Sequence, residues 1–463
     1  MLALTLLQYD FGRILADRTN VHPVGLAAFL VLSLVLFVVP RRWALAPLLV
    51  LACFIPAGQR VAVFGLDFTL LRLLVLVGWL RLLLRGETQR LRFHPIDALV
   101  LVWAFVATVT DVLLWGSLDP LERRLGADFD AIGTYFLFRL YFRDWRDLDR
   151  VIVTVTLLAL PIALFFLVER STGRNIFSVF GGVPSITLIR EGKLRCQGAF
   201  SHPILAGCFW VSFLPLILAR GWHEPRARPL AFFGGVAALA IVVFCNSSTP
   251  LANVAFVVAG ASAWYYRHHL RFVRWSIAMG LLGLHLVMKA PVWHLISRID
   301  LSGGSTGWHR YNLIDNAIRR WDEWWLIGTK STEHWGYGLT DVTCQYVFEG
   351  IQGGALGLIL FLAMLALAFR AIGRTWRRLP GSPSRRALTW ALGVALLSHT
   401  MSFIAVSYFG QIIVAWFLIL AAAASVEGLS TSPSGGDAAP LRMAIPPHPQ
   451  EIEDISHAAG RRP

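Results

Sequence analysis

Thirteen apolar runs dominate this sequence, near residues 22–40, 43–58, 63–84, 95–116, 125–143, 150–169, 203–220, 229–245, 249–266, 272–289, 342–369, 387–405 and 408–427. A bilayer core calls for about 17–25 mostly apolar residues per helical span. Lipid offers the backbone no hydrogen bonds, so each run must satisfy its own, as a helix does. The chain is therefore expected to be all-α, a polytopic transmembrane bundle of about 12–13 spans filling residues 1–427. The run at 43–58 is the shortest and the weakest of the set. With 56% hydrophobic residues and 15% charged ones, a soluble multidomain protein is excluded.

The charge then sets the topology. Lys and Arg number 42 against 28 Asp and Glu, a formal net charge of +14. Much of that excess sits in short turns, at Arg41–Arg42, Arg85/Arg90/Arg92, Arg143–Arg150, Arg220–Arg228, Arg267–Arg274 and Arg370–Arg386. These turns recur after every second span, and the positive-inside rule puts them in the cytoplasm. The stretches 171–202 and 290–341 then lie on the opposite side. The basic balance thus expresses topology, with anionic membrane lipids as its natural contacts, and no nucleic-acid partner is expected. The segment 428–463, rich in Ser, Pro, Gly and Ala, is expected to be a disordered cytoplasmic tail. Met1–Asp17 has neither a basic leader nor a small-residue cleavage site, so no cleaved signal peptide is expected. No internal repeat is visible, which disfavours transporter folds built from inverted repeats.

Ionisable residues within apolar runs are costly and therefore informative. Arg72, Asp111, Arg139, His285 and His399 are the candidates. They can pair inside the bundle or snorkel to its ends; alternatively, Arg72 and Arg139 line a cavity for an anionic headgroup. The five cysteines show no metal-binding spacing. Cys196 and Cys344 fall in the two polar regions, where a disulfide between them is one option.

Chemistry is expected in Ser305–Gly357 and its partner stretch Ser171–Pro203, the two regions dense in polar and aromatic side chains. R-C-Q-G-A-F-S-H-P places Arg195 beside a glycine turn just before a membrane helix. Arginine stays charged and holds phosphate oxygens with a planar fork. His202 precedes Pro203 at that helix start, where it is either an acid/base or an interfacial side chain. In W-H-R-Y-N-L-I-D-N-A-I, the spacing of Arg310 with Leu313, Ala317 and Trp321 fits an amphipathic helix lying along the membrane surface. Arg195 and Arg310 share a side, so they can clamp a pyrophosphate or stand as two solvated charges. Downstream, G-T-K-S-T-E-H-W-G-Y-G-L-T-D concentrates Lys330, Glu333, His334 and Asp341 among turn-forming glycines. His334 and Asp341 are candidate bases. The tryptophans 308, 321, 324, 325 and 335 suit an interfacial belt or stacking on sugar rings. No Walker loop, GxGxxG or HExxH is present, and neither a metal nor a cofactor is expected.

At these residues the chain resembles the O-antigen ligase and polymerase superfamily, over roughly Leu194 to Phe369. R-C-Q-G-A-F-S-H-P is similar to the family's first arginine motif. H-R-Y-N-L-I-D-N-A-I followed by W-L-I-G-T-K resembles an arginine helix with a "large apolar–Gly–x–Gly" turn, Lys330 standing where the second Gly usually falls. D-V-T-C-Q-Y-V-F-E-G-I-Q-G-G-A-L-G resembles the family's His-Asn…Gly-x-x-Gly stretch, with Thr343 at the histidine position and Cys344 at the asparagine. Threonine cannot serve as a base at neutral pH.

The resemblance implies a metal-independent glycosyltransferase of the bacterial inner membrane. Its donor would be an undecaprenyl-pyrophosphate-linked oligosaccharide and its acceptor a glycan or lipid, with other polysaccharide assembly and export proteins as further partners. Loops 171–202 and 290–341 would be periplasmic, the larger one carrying short amphipathic helices. Arg195, Arg310, Lys330, His202 and Thr343 would bind substrate, and His334 or Asp341 would act as the base. Two rival expectations are a transporter or flippase of a lipid-linked or anionic substrate, and a noncatalytic scaffold in an export complex.

Overall fold

The computed structural model describes residues 19–63, 66–88, 91–299, 307–379 and 381–430. The expectations for Met1–Asp17 and for the tail beyond residue 430 lie outside them. Every apolar run contains a helix. In chain order these are α1 (Pro23–Val38), α2 (Ala46–Phe54), α3 (Leu70–Leu84), α4 (Pro95–Trp115), α5 (Asp119–Asp128) and α6 (Thr134–Tyr141). Next come α7 (Trp145–Thr172), α8 (Pro203–His223), α9 (Arg228–Phe244), α10 (Ser248–Ser262) and α11 (Leu270–Val287). The last group is α12 (Gly307–Arg319), α13 (Trp321–Trp324), α14 (Gln345–Arg378), α15 (Pro383–Ser402) and α16 (Ile412–Ser430). Among the described residues seven helices, α4, α7, α8, α9, α11, α14 and α16, are long and apolar enough to cross a membrane. The chain is membrane-embedded.

Three runs are less regular than their hydropathy suggests. The run at 43–58 contains only the nine-residue α2. The start of 63–84 forms β2 (Leu66–Thr69), which pairs antiparallel with β1 (Arg60–Val63). The run at 125–143 is interrupted by a π turn at Phe129–Gly133 between α5 and α6. Its acids explain the interruption: Asp130 is held by Arg72 at 2.6 Å and Asp128 accepts from Thr108. Extra-residue turns of this kind aim side chains that a regular helix would misplace.

Helix α8 is the centre of the bundle. Phe209, Trp210 and Phe213 are fully buried and pack ring against ring, and the helix touches α7, α9, α10, α15 and α16. The basic turns interlock at one end. Arg41 binds Asp147 at 3.0 Å, Arg143 donates to the Glu87 carbonyl, Arg220 binds Asp149 at 2.7 Å, and Arg374 binds Glu427 at 2.7 Å. The ionisable residues inside the runs are paired as well. Arg139 holds Asp97 at 2.8 Å, with Tyr135 on the same carboxylate, and His399 Nδ1 lies 2.8 Å from the Tyr408 hydroxyl. His285 stacks on Trp293 and accepts from the Val292 N–H.

The larger polar stretch builds a small core of its own from Leu313, Ala317, Trp324, Trp335, Leu339 and Cys344. The expected amphipathic helix is α12, with Arg310, Leu313 and Ala317 on its buried side. Trp321 departs from that pattern: the helix ends at Arg319, Trp321 is exposed, and Trp324 instead fills the core and donates to the Ala317 carbonyl at 2.7 Å. This stretch locks onto α14 backbone to backbone. Gly354 breaks α14 with φ of 62° and ψ of −166°. Thr329 N–H donates to the Ile351 carbonyl at 3.0 Å and Ala355 N–H to the Trp325 carbonyl at 2.7 Å. A Cβ at Gly328 would lie 1.9 Å from the Ile351 oxygen, and one at Gly354 would lie 2.5 Å from the Leu326 oxygen. Both positions have positive φ, so only glycine fits.

Candidate functional site

The site is built from a hairpin, a loop and one helix. Strands β3 (Leu188–Arg190) and β4 (Lys193–Arg195) pair antiparallel through the two-residue turn Glu191–Gly192. Both turn residues have positive φ, 49° and 69°, the geometry that matches strand twist in tight hairpins. The register sets Leu188 opposite Arg195 and Arg190 opposite Lys193. Alternation therefore puts Arg190 and Arg195 on the same face of the ribbon.

Beyond Arg195 the chain is pinned from beneath. Glu169, near the end of α7, is buried; its Oε1 accepts from the Gln197 N–H at 3.1 Å and from the Thr187 hydroxyl at 3.2 Å. Its Oε2 accepts from the Gly198 N–H at 2.9 Å. Asn175 Nδ2 closes the loop on the Gly198 carbonyl at 2.8 Å. Gly198 has φ of 57°, and a Cβ there would lie 2.5 Å from the Phe166 ring, so the glycine of R-C-Q-G is required by both conformation and space.

Arg310 reaches the same place from α12. It is 6% exposed, its Nε donates to the Ala405 carbonyl at 2.9 Å, and its charge is felt together with those of Arg190 and Arg195. Burial, with those two like charges, pulls its guanidinium down to about 10, the Cys208 and Cys344 thiols working in the opposite direction. Arg195 is 8% exposed, and its Nε is buried without a hydrogen-bond partner. Burial, then Arg190, pulls its pKa below the ordinary arginine value. Among the described residues none of the three arginines has a carboxylate within ion-pair distance.

His202 completes the set. It caps α8, its Nδ1 accepting from the Ile204 N–H at 3.1 Å, so its hydrogen is on Nε2. Burial first, then Arg195 and Arg190, brings its pKa down to about 4, which keeps the ring neutral near pH 7. Three guanidinium groups and an imidazole N–H are all donors; the Ala405 carbonyl accepts from Arg310 Nε, but no carboxylate among the described residues answers them. The chemistry of such a set is recognition of an oxyanion.

The other residues expected at a site fall elsewhere. His334 is exposed and bonded to Glu323 at 2.6 Å. Burial opposes ionisation of Glu323, but hydrogen bonds from Trp335, His334 and Arg320 bring it down to about 2. Asp341 is exposed, and its backbone carbonyl receives His309 Nε2 at 3.0 Å. Neither residue is among the main charges acting on Arg195 or Arg310. Lys330 is exposed, with its ammonium 5.2 Å above the Trp115 ring. Thr343 is half-buried, its hydroxyl unpartnered, next to Cys344 and hence near Arg310. Cys196 and Cys344 are both free, buried thiols, so the disulfide option is not taken.

Arg190 was legible only through the turn. The E-G pair between R and K-L-R is a hairpin signal, and the hairpin brings the extra arginine to the site.

A second polar region adjoins the first. The segment joining α15 to α16 supplies Ala405 to Arg310 on one side. On the other side its Tyr408 N–H donates to Gln345 Oε1 at 2.7 Å, and Phe403 accepts from the Gln345 N–H at 2.8 Å. Arg72 and Asp130, besides pairing, line a cavity of about 340 Å³ with Gln59, Ser201 and Gln411. Ser201 also touches the region of Gly410, so this cavity borders the loop before His202.

The chain matches no protein-family model and no curated protein.

Proposed function

We propose that this chain is a membrane glycosyltransferase that transfers or polymerises undecaprenyl-pyrophosphate-linked oligosaccharide at the periplasmic face of a bacterial inner membrane. The observation that carries the proposal is the convergence of buried Arg195 and Arg310 with half-buried Arg190 and His202, a set of donors with no carboxylate partner among the described residues. Diphosphate is the leaving group for which such a set is suited. As the anomeric carbon–oxygen bond breaks, negative charge grows on the lipid pyrophosphate, and preformed donors stabilise it without any reorganisation. Attack by an acceptor hydroxyl from the opposite face would invert the anomeric centre, which a comparison of linkage in donor and product checks.

The test is a gel profile of surface and secreted polysaccharide from a deletion strain complemented with wild type or Arg310→Ala. Loss of long chains with single units still delivered identifies a polymerase. Long chains accumulating on the lipid carrier identify a ligase. An unchanged profile with the variant stably present rejects the role given to Arg310.

One observation favours a second reading, transport of a lipid-linked or anionic substrate: α14 is broken at Gly354, and discontinuous helices often line transport sites. Its freed backbone groups are bonded to Trp325 and Thr329, and Thr110 donates to the Gln352 carbonyl at 3.0 Å. That bracing fits a fixed element better than a gate. Substrate movement across vesicles without covalent change would decide for transport.

A further inference from the structure

A cavity of about 220 Å³ lies behind the Gln345–Tyr408 contact, lined by Trp103, Arg124, Asp128, Gln352, Glu349 and Tyr408 among others. Glu349 is a carboxylate only 4% exposed, one turn into α14 from Gln345. Trp103 Nε1 donates to its Oε2 at 2.7 Å and Gln345 Nε2 to its Oε1 at 2.7 Å. Each oxygen keeps further acceptor capacity. Arg124 is 7% exposed; its Nη1 donates to Gln352 Oε1 at 2.8 Å, and its Nε is buried without a hydrogen-bond partner, 3.9 Å from Asp128.

The lining therefore mixes free acceptor capacity, an unused donor and flat aromatic walls. A cationic ligand would meet the Arg124 guanidinium, and an anionic one would meet Glu349 and Asp128. A neutral ring bearing several hydroxyl groups can use donors and acceptors together and stack on the aromatic faces. The cavity and the arginine pocket flank the same 403–411 segment, through Tyr408 on one side and Ala405 on the other.

We infer that this cavity holds the acceptor sugar and that Glu349 takes the proton from its attacking hydroxyl. The inference rests on the transferase reading above and deepens it. The acceptor O–H bond breaks, its proton passing to a Glu349 oxygen, and the oxygen bonds to the anomeric carbon of the donor. The anomeric carbon–phosphate oxygen bond breaks, its electron pair leaving with the pyrophosphate toward Arg190, Arg195 and Arg310. Water then removes the proton from Glu349. Glu349 thus fills the role that Thr343 cannot.

The test uses full-length protein in membranes of the deletion strain, which carry the lipid-linked donor, with chain extension as one readout. Binding of inorganic pyrophosphate to the purified protein is the second. Glu349→Gln should lower extension by about 10²–10⁴-fold, the usual worth of a positioned base, while pyrophosphate binding stays within twofold of wild type. Added formate should restore extension to Glu349→Ala by replacing the missing carboxylate, a rescue that a merely structural role would not give. Extension by Glu349→Gln within threefold of wild type overturns the inference. So does failure of formate rescue, whether pyrophosphate binding is kept or lost. Failure of the transferase reading looks different: Arg310→Ala would retain extension, or wild type would bind no pyrophosphate.

Discussion

Two sets of buried or half-buried arginines occupy this bundle, and they are managed in opposite ways. In and around the basic turns Arg41, Arg81, Arg139, Arg220 and Arg374 each have a carboxylate within 3.0 Å, from Asp147, Glu87, Asp97, Asp149 and Glu427. At the β3–β4 hairpin and α12, Arg190, Arg195 and Arg310 have no such partner among the described residues. The first set is architecture, since removing one partner would strand a buried charge. The second set brings like charges together without a carboxylate among the described residues, and a bound anion would supply the missing counter-charge.

The contrast can be broken most severely at Arg139. Replacement by Met leaves Asp97, fully buried, with Tyr135 and the His94 N–H as its remaining donors among the described residues. The loss should be about 3–5 kcal/mol, read as a fall in thermal midpoint of the purified protein. Next is Gly198→Ala. It forces a side chain into positive φ and against Phe166, which should cost about 2–4 kcal/mol and weaken pyrophosphate binding because the loop carrying Arg195 shifts.

His202 supplies a pH test. Its folded pKa of about 4 lies below the unfolded value near 6.5, so between these pH values the unfolded chain binds the extra proton. Stability therefore falls as pH drops from 6.5 toward 4, by about 2 kcal/mol at pH 5. His202→Asn, which keeps a helix cap, should flatten that part of the pH–stability curve. The smallest stability effect is expected at Arg195→Met, within about 0.5 kcal/mol of wild type or slightly stabilising, because the buried charge it removes has no carboxylate partner among the described residues to strand. A fall like that of Arg139→Met would place Arg195 with the architectural set.

The helical character and membrane class were legible because apolar runs of span length admit few other structures. Hydropathy alone could not show where a run breaks. The run at 125–143 looked continuous, yet Asp128 and Asp130 are claimed by Thr108 and Arg72, and a π turn results. The arginine pair was legible from its flanking motifs, and the fold supplies what motifs lack, the proximity of α12 to the hairpin. Local density of polar groups singled out His334 and Asp341 as bases, but density says nothing of burial, and both are exposed. Glu349 was hidden for the converse reason. It is a lone acid in an otherwise apolar run, and its importance comes from Trp103, Gln345 and Arg124, which are distant or unremarkable in sequence.

The most direct test of the difference between paired and unpaired arginines is calorimetric titration of inorganic pyrophosphate into the full-length protein in nanodiscs. Wild type and Arg220→Ala, which alters a paired arginine, should bind with the same affinity, whereas Arg195→Ala and Arg310→Ala should each bind at least about tenfold more weakly, a loss of about 1.4 kcal/mol. Equal binding by all four proteins, or no saturable binding by wild type, would contradict the account.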